Sequence, residues 1–265
     1  MPSVRSADFS TVTEVPGLAV TRENLAMAVS RYSYAASLTE GADVLEVGCG
    51  QGQGLGWLVR RSRRVVGGDY TPALLAGARH HYGARVPLVR LDGQALPFRS
   101  GSFDVVLLLE AIYYLPDTER CARECRRVLR PGGVVLVCTT NPARADFNPS
   151  PLSTGYVTAD ALAATLEAAG FDVELSAAFP CARASARTAA VTFVKRLAVG
   201  LGLIPRTMRN KALLKRIFLG PLVPYPLELD ATLAPAAPLS PIGADEASGF
   251  KVIYALGRCP AAPIS

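Results

Sequence analysis

Four carboxylates, Glu46, Asp69, Asp92 and Glu110, each stand within or at the end of a short apolar run, and the first leads into a glycine loop, Gly48-Cys49-Gly50-Gln51-Gly52. An ionised carboxylate only accepts hydrogen bonds, so a series of them suits a ligand that offers hydroxyls, an amine or an ammonium group. Glycines without a Cβ let a backbone turn sharply and approach such a ligand closely. Spacing then decides which ligand. A G-x-G-x-x-G register would need glycine where the chain has Gln53, Leu55 or Trp57, and no Gly-Lys-Ser/Thr follows, so the dinucleotide and phosphate-loop patterns both fail. Asp69 falls 19 residues after Gly50, close to the offset at which α/β folds set an acid on ribose hydroxyls.

These groups need strands to carry them. Apolar runs at 44–47, 64–69, 87–91, 105–109 and 134–138 alternate with helical stretches at 55–61, 72–82 and 117–129. That alternation predicts a parallel sheet covered on both faces, with ligands at its carboxyl edge. Glu110, Tyr113 and Tyr114 follow the fourth strand at that edge. Upstream, 21–38 has helical spacing with Thr21 as N-cap, and Arg31, Tyr32 and Tyr34 on it are candidate contacts. Downstream, 141–155 reads as a loop past the fifth strand, which makes Phe147, Asn148 and Tyr156 candidate substrate contacts. A helix at 159–169, a sixth strand at 171–175 and a last strand at 250–256 complete the pattern. His80 and His81, near the end of a helix, read as surface residues.

Half of the 265 residues are hydrophobic and 19% are charged, which excludes global disorder and supplies a sizeable core. The first ten residues lack the apolar run of a signal peptide, no stretch is long enough to span a membrane, and six unpaired-looking cysteines suit a reduced, cytoplasmic protein. Cys121 and Cys125 sit one helical turn apart with both histidines distant, so no metal site is expected. The net charge of +6 is uneven: nine basic and no acidic residues lie between Leu175 and Leu227. Within that segment 191–219 reads as two basic amphipathic helices, able to touch an anionic membrane surface, cover an active site or pack with arginines outward. With few aromatics there, nucleic-acid binding is not expected. Nothing fixes an oligomeric state.

The run E-x-G-x-G-x-G from Glu46 to Gly52, the acid at Asp69, the D-x-x-x-L-P-F pattern from Asp92 to Phe98 and V-L-R-P-G-G-V-V-L-V from Val128 to Val137 together resemble the class I S-adenosylmethionine (SAM) dependent methyltransferases, over 44–138. The resemblance implies a Rossmann-like, doubly wound seven-stranded sheet whose last strand is antiparallel, an N-terminal helical lid, and here a helical insertion before the last strand. It implies SAM as cofactor, bound by Glu46, Gly48, Gly50, Gly52, Asp69, Tyr70, Asp92, Gly93, Gln94 and Glu110, with the Gln94 N–H on the adenine and Leu96 and Phe98 walling it. Methyl transfer to an O or N atom of a small-molecule acceptor, acidic or lipid-like, follows. The same fold could bind SAM without methyl transfer, or act at a membrane surface through 191–219. Catalysis falls to Glu110, Tyr113 and Tyr114, in place of histidines common in the family, and acceptor binding to Tyr32, Tyr114, Phe147, Asn148 and Tyr156. The expected organisation is an arm and lid helix (1–40), a cofactor core (41–176), a basic, Pro-rich cap (177–249), a closing strand (250–258) and a tail (259–265).

Overall fold

The computed structural model describes residues 8–144, 147–181 and 221–261. The expected helices over 191–219 lie outside the described residues. Eight strands form one sheet: β2 (Asp43–Val47), β3 (Arg64–Asp69), β4 (Leu88–Arg90), β5 (Phe103–Leu109), β6 (Leu129–Thr140), β7 (Asp172–Pro180), β9 (Ser240–Pro241) and β10 (Phe250–Arg258), in the order β4-β3-β2-β5-β6-β10-β7-β9. The first five run parallel. β10 inserts antiparallel between β6 and β7. The seven expected strands are joined by an eighth, β9, a two-residue edge that gives no periodic signal of its own.

Among the described residues the helices are α1 (Arg22–Ser37), α2 (Leu55–Val59), α3 (Pro72–Tyr82), α4 (Thr118–Val128) and α5 (Ala159–Ala168). Thr21 caps α1 by accepting the Asn24 N–H at 3.0 Å, and Pro72 opens α3 where its missing N–H costs nothing. Strand alternation divides the core. Val44, Leu107, Leu136 and Tyr254 point to the face covered by α1, α2 and α3, whereas Leu45, Val106, Val135 and Ile253 meet α4 and α5 through Cys121, Cys125, Leu162 and Leu166. Both faces being covered explains why β2 is buried at every residue.

At the edge opposite the glycine loop, Asp43 accepts from Arg63 at 2.6 Å and from Arg130 at 2.9 Å, and Asp104 takes the other side of the Arg130 fork at 2.7 Å. Hydrogen bonds from Arg63 hold the Asp43 carboxyl down at about 2 despite its burial, with Arg130 adding to them. A separate ribbon closes the other end: β1 (Ala19–Thr21) pairs antiparallel with β8 (Leu222–Pro224), Val20 opposite Val223. Tyr225 extends it, donating its N–H to Leu18 O at 2.8 Å and accepting from Gly17 N at 2.9 Å. The expected cap thus returns directly onto the N-terminal arm. Among the described residues no helix is long and apolar enough to cross a membrane.

Candidate active site

β2 delivers the chain into the glycine loop, where Gly48, Gly50 and Gly52 have φ of 83°, 59° and 83°, a region closed to most side chains. The N–H groups of Gly48 and Cys49 bond to Gly68 O on β3, and Gly50 donates to Asp69 Oδ2 at 2.9 Å. The other Asp69 oxygen accepts from Thr71 N at 2.8 Å. Two backbone donors therefore fix the carboxylate at the end of β3 beside the loop. Burial raises its pKa, and the N–H bonds from Thr71 and Gly50 pull the other way.

A cavity of about 890 Å³ opens over this edge, lined by Gly48, Gly50, Asp69, Tyr70, Asp92, Gly93, Gln94, Glu110, Tyr113 and Tyr114 together with Arg31 and Tyr32 of α1. Most of the residues expected to meet the cofactor thus face one space. Gly52 does not line it, and neither does Glu46. Its side chain is buried beneath Tyr32, whose hydroxyl donates to Glu46 Oε1, and Glu46 Oε2 has no hydrogen-bond partner among the described residues. Burial pushes the Glu46 carboxyl up to about 7, opposed by the Tyr32 bond and helped by the nearby Asp69. Tyr32 lies so close over the loop that a Cβ on Gly54 would fall 1.8 Å from its ring. The carboxylate ahead of the glycines is thereby roofed by a side chain from the lid helix.

Asp92 Oδ1 accepts from the Gln94 backbone N–H at 2.9 Å and from its side-chain amide at 3.1 Å. The N–H expected to serve adenine is thus taken by Asp92 here. Gln94 Oε1 in turn accepts from Asp117 N at the start of α4. Leu96 and Phe98 pack into the core, Phe98 edge-on to Phe103, and the apolar wall of the cavity is made instead by Leu91 and Leu115. The positions were legible from the pattern, but which side of a turn a side chain takes was not.

Glu110 has φ 58°, an unusual conformation for a residue with a Cβ. Its Oε1 pairs with Arg31 Nη1 at 3.2 Å and its Oε2 accepts from Thr140 at 3.0 Å. Tyr113 and Tyr114 follow on a single 3-10 turn. Tyr113 stacks on Tyr156 at 4.5 Å, Tyr156 meets Phe147 at 4.6 Å, and Tyr114 bonds through its hydroxyl to Ser150 at 3.0 Å. Phe147 and Tyr156 therefore form a second row behind the cavity, and Asn148 is exposed and away from it. Tyr34 leaves the site, packing edge-on against Tyr254 in the core. Burial raises the pKa of both Tyr113 and Tyr114.

Sequence reasoning expected the arm but missed the residues that it and the returning segment bring to the cavity. Phe9 sits between Tyr70 and Tyr114, 4.9 Å from the latter ring, Thr13 would lie 3.2 Å from a Cβ on Gly50, and Tyr225 is buried against the same space. Each is an isolated residue in an aperiodic stretch, and only the fold brings it here.

Tyr82 supports the loop from α3: its hydroxyl donates to Gly52 O at 2.6 Å and accepts from Gly56 N at 3.0 Å. Tyr82→Phe is expected to cost about 1–3 kcal/mol, because two buried backbone groups lose their partner. Denaturant unfolding would measure it, and an unchanged midpoint would deny the hydroxyl that role.

Residues 45–137 match the family described as a methyltransferase domain. Over 149 residues the chain is 41% identical to a protein of Mycolicibacterium smegmatis named a probable S-adenosylmethionine-dependent methyltransferase, covering 54% of this chain and 57% of that one. It is 39% identical over 109 residues to a fatty-acid O-methyltransferase of the same organism, covering 39% of each. The chain thus spans little more than half the length of the first relative and less of the second. In architecture it resembles a SAM-dependent methyltransferase of Thermotoga maritima, with a TM-score of 0.58 at 15% identity over 89% of this chain and 91% of that one.

Proposed function

We propose that the chain, which matches a methyltransferase domain over residues 45–137, is a class I SAM-dependent methyltransferase that moves a methyl group from SAM to an oxygen or nitrogen atom of a small-molecule acceptor. The observation that carries the reading is the convergence of Gly50, Asp69, Asp92 and Glu110 on one cavity. In this reading Asp69 serves the ribose hydroxyls, Asp92 the adenine amine and Glu110 the ammonium of the amino-acid end. Glu46 acts through its ionisation state beneath Tyr32, and its buried, unpartnered oxygen suits a cationic ligand group nearby.

SAM supplies a methyl on a sulfonium, reactive enough that the protein's main tasks are alignment and exclusion of water. Met27, Leu115 and Leu152 line the cavity beside the Arg31–Glu110 and Lys251–Glu23 pairs, which favours an acceptor with a lipid-like part and leaves an acidic one to the pairing of these cations. The fatty-acid relative supports that choice. Tyr113 and Tyr114, with pKa values raised by burial, keep their protons near neutral pH and so act as hydrogen-bond donors, leaving Glu110 as the proton acceptor for a hydroxyl substrate. An amine arriving neutral needs none. The described arm and lid residues 8–40 and the returning segment 221–229 are assigned to closing this space over the core (41–176).

Calorimetric titration with SAM, followed by detection of S-adenosylhomocysteine during turnover of a carboxylic-acid, alcohol and amine panel, tests the proposal. Asp69→Ala is expected to weaken SAM binding on the order of a hundredfold, the loss of two hydrogen bonds to a charged acceptor. Binding unaffected by that change would remove Asp69 from the site, and binding without any transfer would leave a SAM-binding protein.

A further inference from the structure

The glycine loop is held from its outer side by a group that the cofactor contacts do not involve. His81, read from sequence as a surface residue, is half-buried and its Nε2 lies 2.6 Å from Glu228 Oε1. Arg60 and Arg85 approach the same carboxylate at 3.6 Å each. Glu228 belongs to the segment that returns from the cap to the core, and it can seat there only because residue 56 is glycine: a Cβ on Gly56 would fall 2.2 Å from Glu228 Oε2. The neighbouring Leu229 is fully buried and donates its N–H to Gln53 O at 2.7 Å, within the turn that follows the glycines. Gln53 in turn donates its side-chain amide to Glu14 O on the arm at 3.0 Å. His81 at the end of α3 and two arginines just beyond α2 and α3 thus surround one acid, and the next residue grips the loop.

We infer that Glu228 is a positioning residue: its hydrogen bond with His81 and its ion pairs with Arg60 and Arg85 latch the 225–229 segment onto the loop and fix the loop's geometry for the cofactor. The same segment carries Tyr225 into the cavity and continues the β1–β8 ribbon, so the latch ties loop, arm and cavity wall together. The inference rests on the reading that this loop holds SAM.

Two variants displace the carboxylate by independent routes. Glu228→Ala removes it, and Gly56→Ala fills its seat with a methyl while favouring the helix. Amide hydrogen exchange of unliganded protein over 50–58 is expected to quicken about tenfold in both, SAM affinity to fall about tenfold, and exchange in β5 and β6 to stay at the wild-type rate. In wild type, 1 M salt is expected to reproduce the effect by screening the cluster, with little further change in Glu228→Ala. Loop exchange unchanged in both variants would overturn the latch, as would acceleration spread evenly over the sheet. Faster loop exchange in a protein that never binds SAM would uphold the latch and defeat the cofactor reading instead.

Discussion

Gly54→Ala is expected to lower the melting temperature by about 10 °C and to abolish tight SAM binding, although it adds a single methyl group. The new Cβ would stand 1.8 Å from the Tyr32 ring, and that ring is 8% exposed with its hydroxyl committed to Glu46. It cannot swing away cheaply. Overpacking costs about 1–3 kcal/mol, and expelling the ring would leave a second Glu46 oxygen buried without a partner for about 1–3 kcal/mol more. For a chain of this size each kcal/mol moves the midpoint by about 2–4 °C. The cause can be isolated by a double-mutant cycle: in a Tyr32→Ala background the same change should be close to neutral, because the two sites are in contact and their costs are not additive. Equal costs in both backgrounds would show that the clash is not with Tyr32.

Glu46→Gln should do the opposite to stability. A carboxyl whose pKa rises on folding, here from 4.5 to about 7 through burial, holds its proton more tightly folded than unfolded. Its contribution is complete below about 4.5 and is lost as the pH climbs through about 7. By pH 8 the wild type should have given up about 3 kcal/mol on this account. Glutamine keeps an acceptor for the Tyr32 hydroxyl and does not titrate. The variant should therefore match wild type near pH 4.5 and exceed it at pH 8 by up to that amount, while binding SAM less well because the negative charge is gone. Urea unfolding at both pH values measures this. Parallel stability curves would mean that Glu46 is ionised without penalty.

What the sequence made legible is what local pattern encodes. The order of strands and helices, the three left-handed glycines, and the acids at 69, 92 and 110 all follow from apolar period, turn chemistry and spacing within about 65 residues. What it hid are pairings at long range or decided by side-chain direction. Nothing local distinguishes Tyr32, 14 residues ahead of Glu46, from any other aromatic on a helix. His81 and Glu228 are 147 residues apart, and the acid lies in a proline-rich stretch without period. Phe147 and Tyr156, expected as substrate contacts, lie one row behind the cavity, because Tyr156 stacks on Tyr113 and Phe147 packs edge-on against Tyr156. Leu96 and Phe98 erred the other way, drawn into the core by Phe103.

The placement of β10 has a consequence for how the molecule assembles. Among the described residues β7 pairs with β10 along most of its length and otherwise only with the two-residue β9, so it joins the sheet through β10. β6 likewise keeps one flank unpaired until β10 docks. As the chain emerges from the ribosome, residues 43–140 can join five parallel strands, but the open flank of β6 and all of β7 must wait for residues 250–258. The intervening stretch adds little closure entropy, because that cost grows only logarithmically with length. It adds waiting time instead, during which two apolar strand edges are exposed to mispairing.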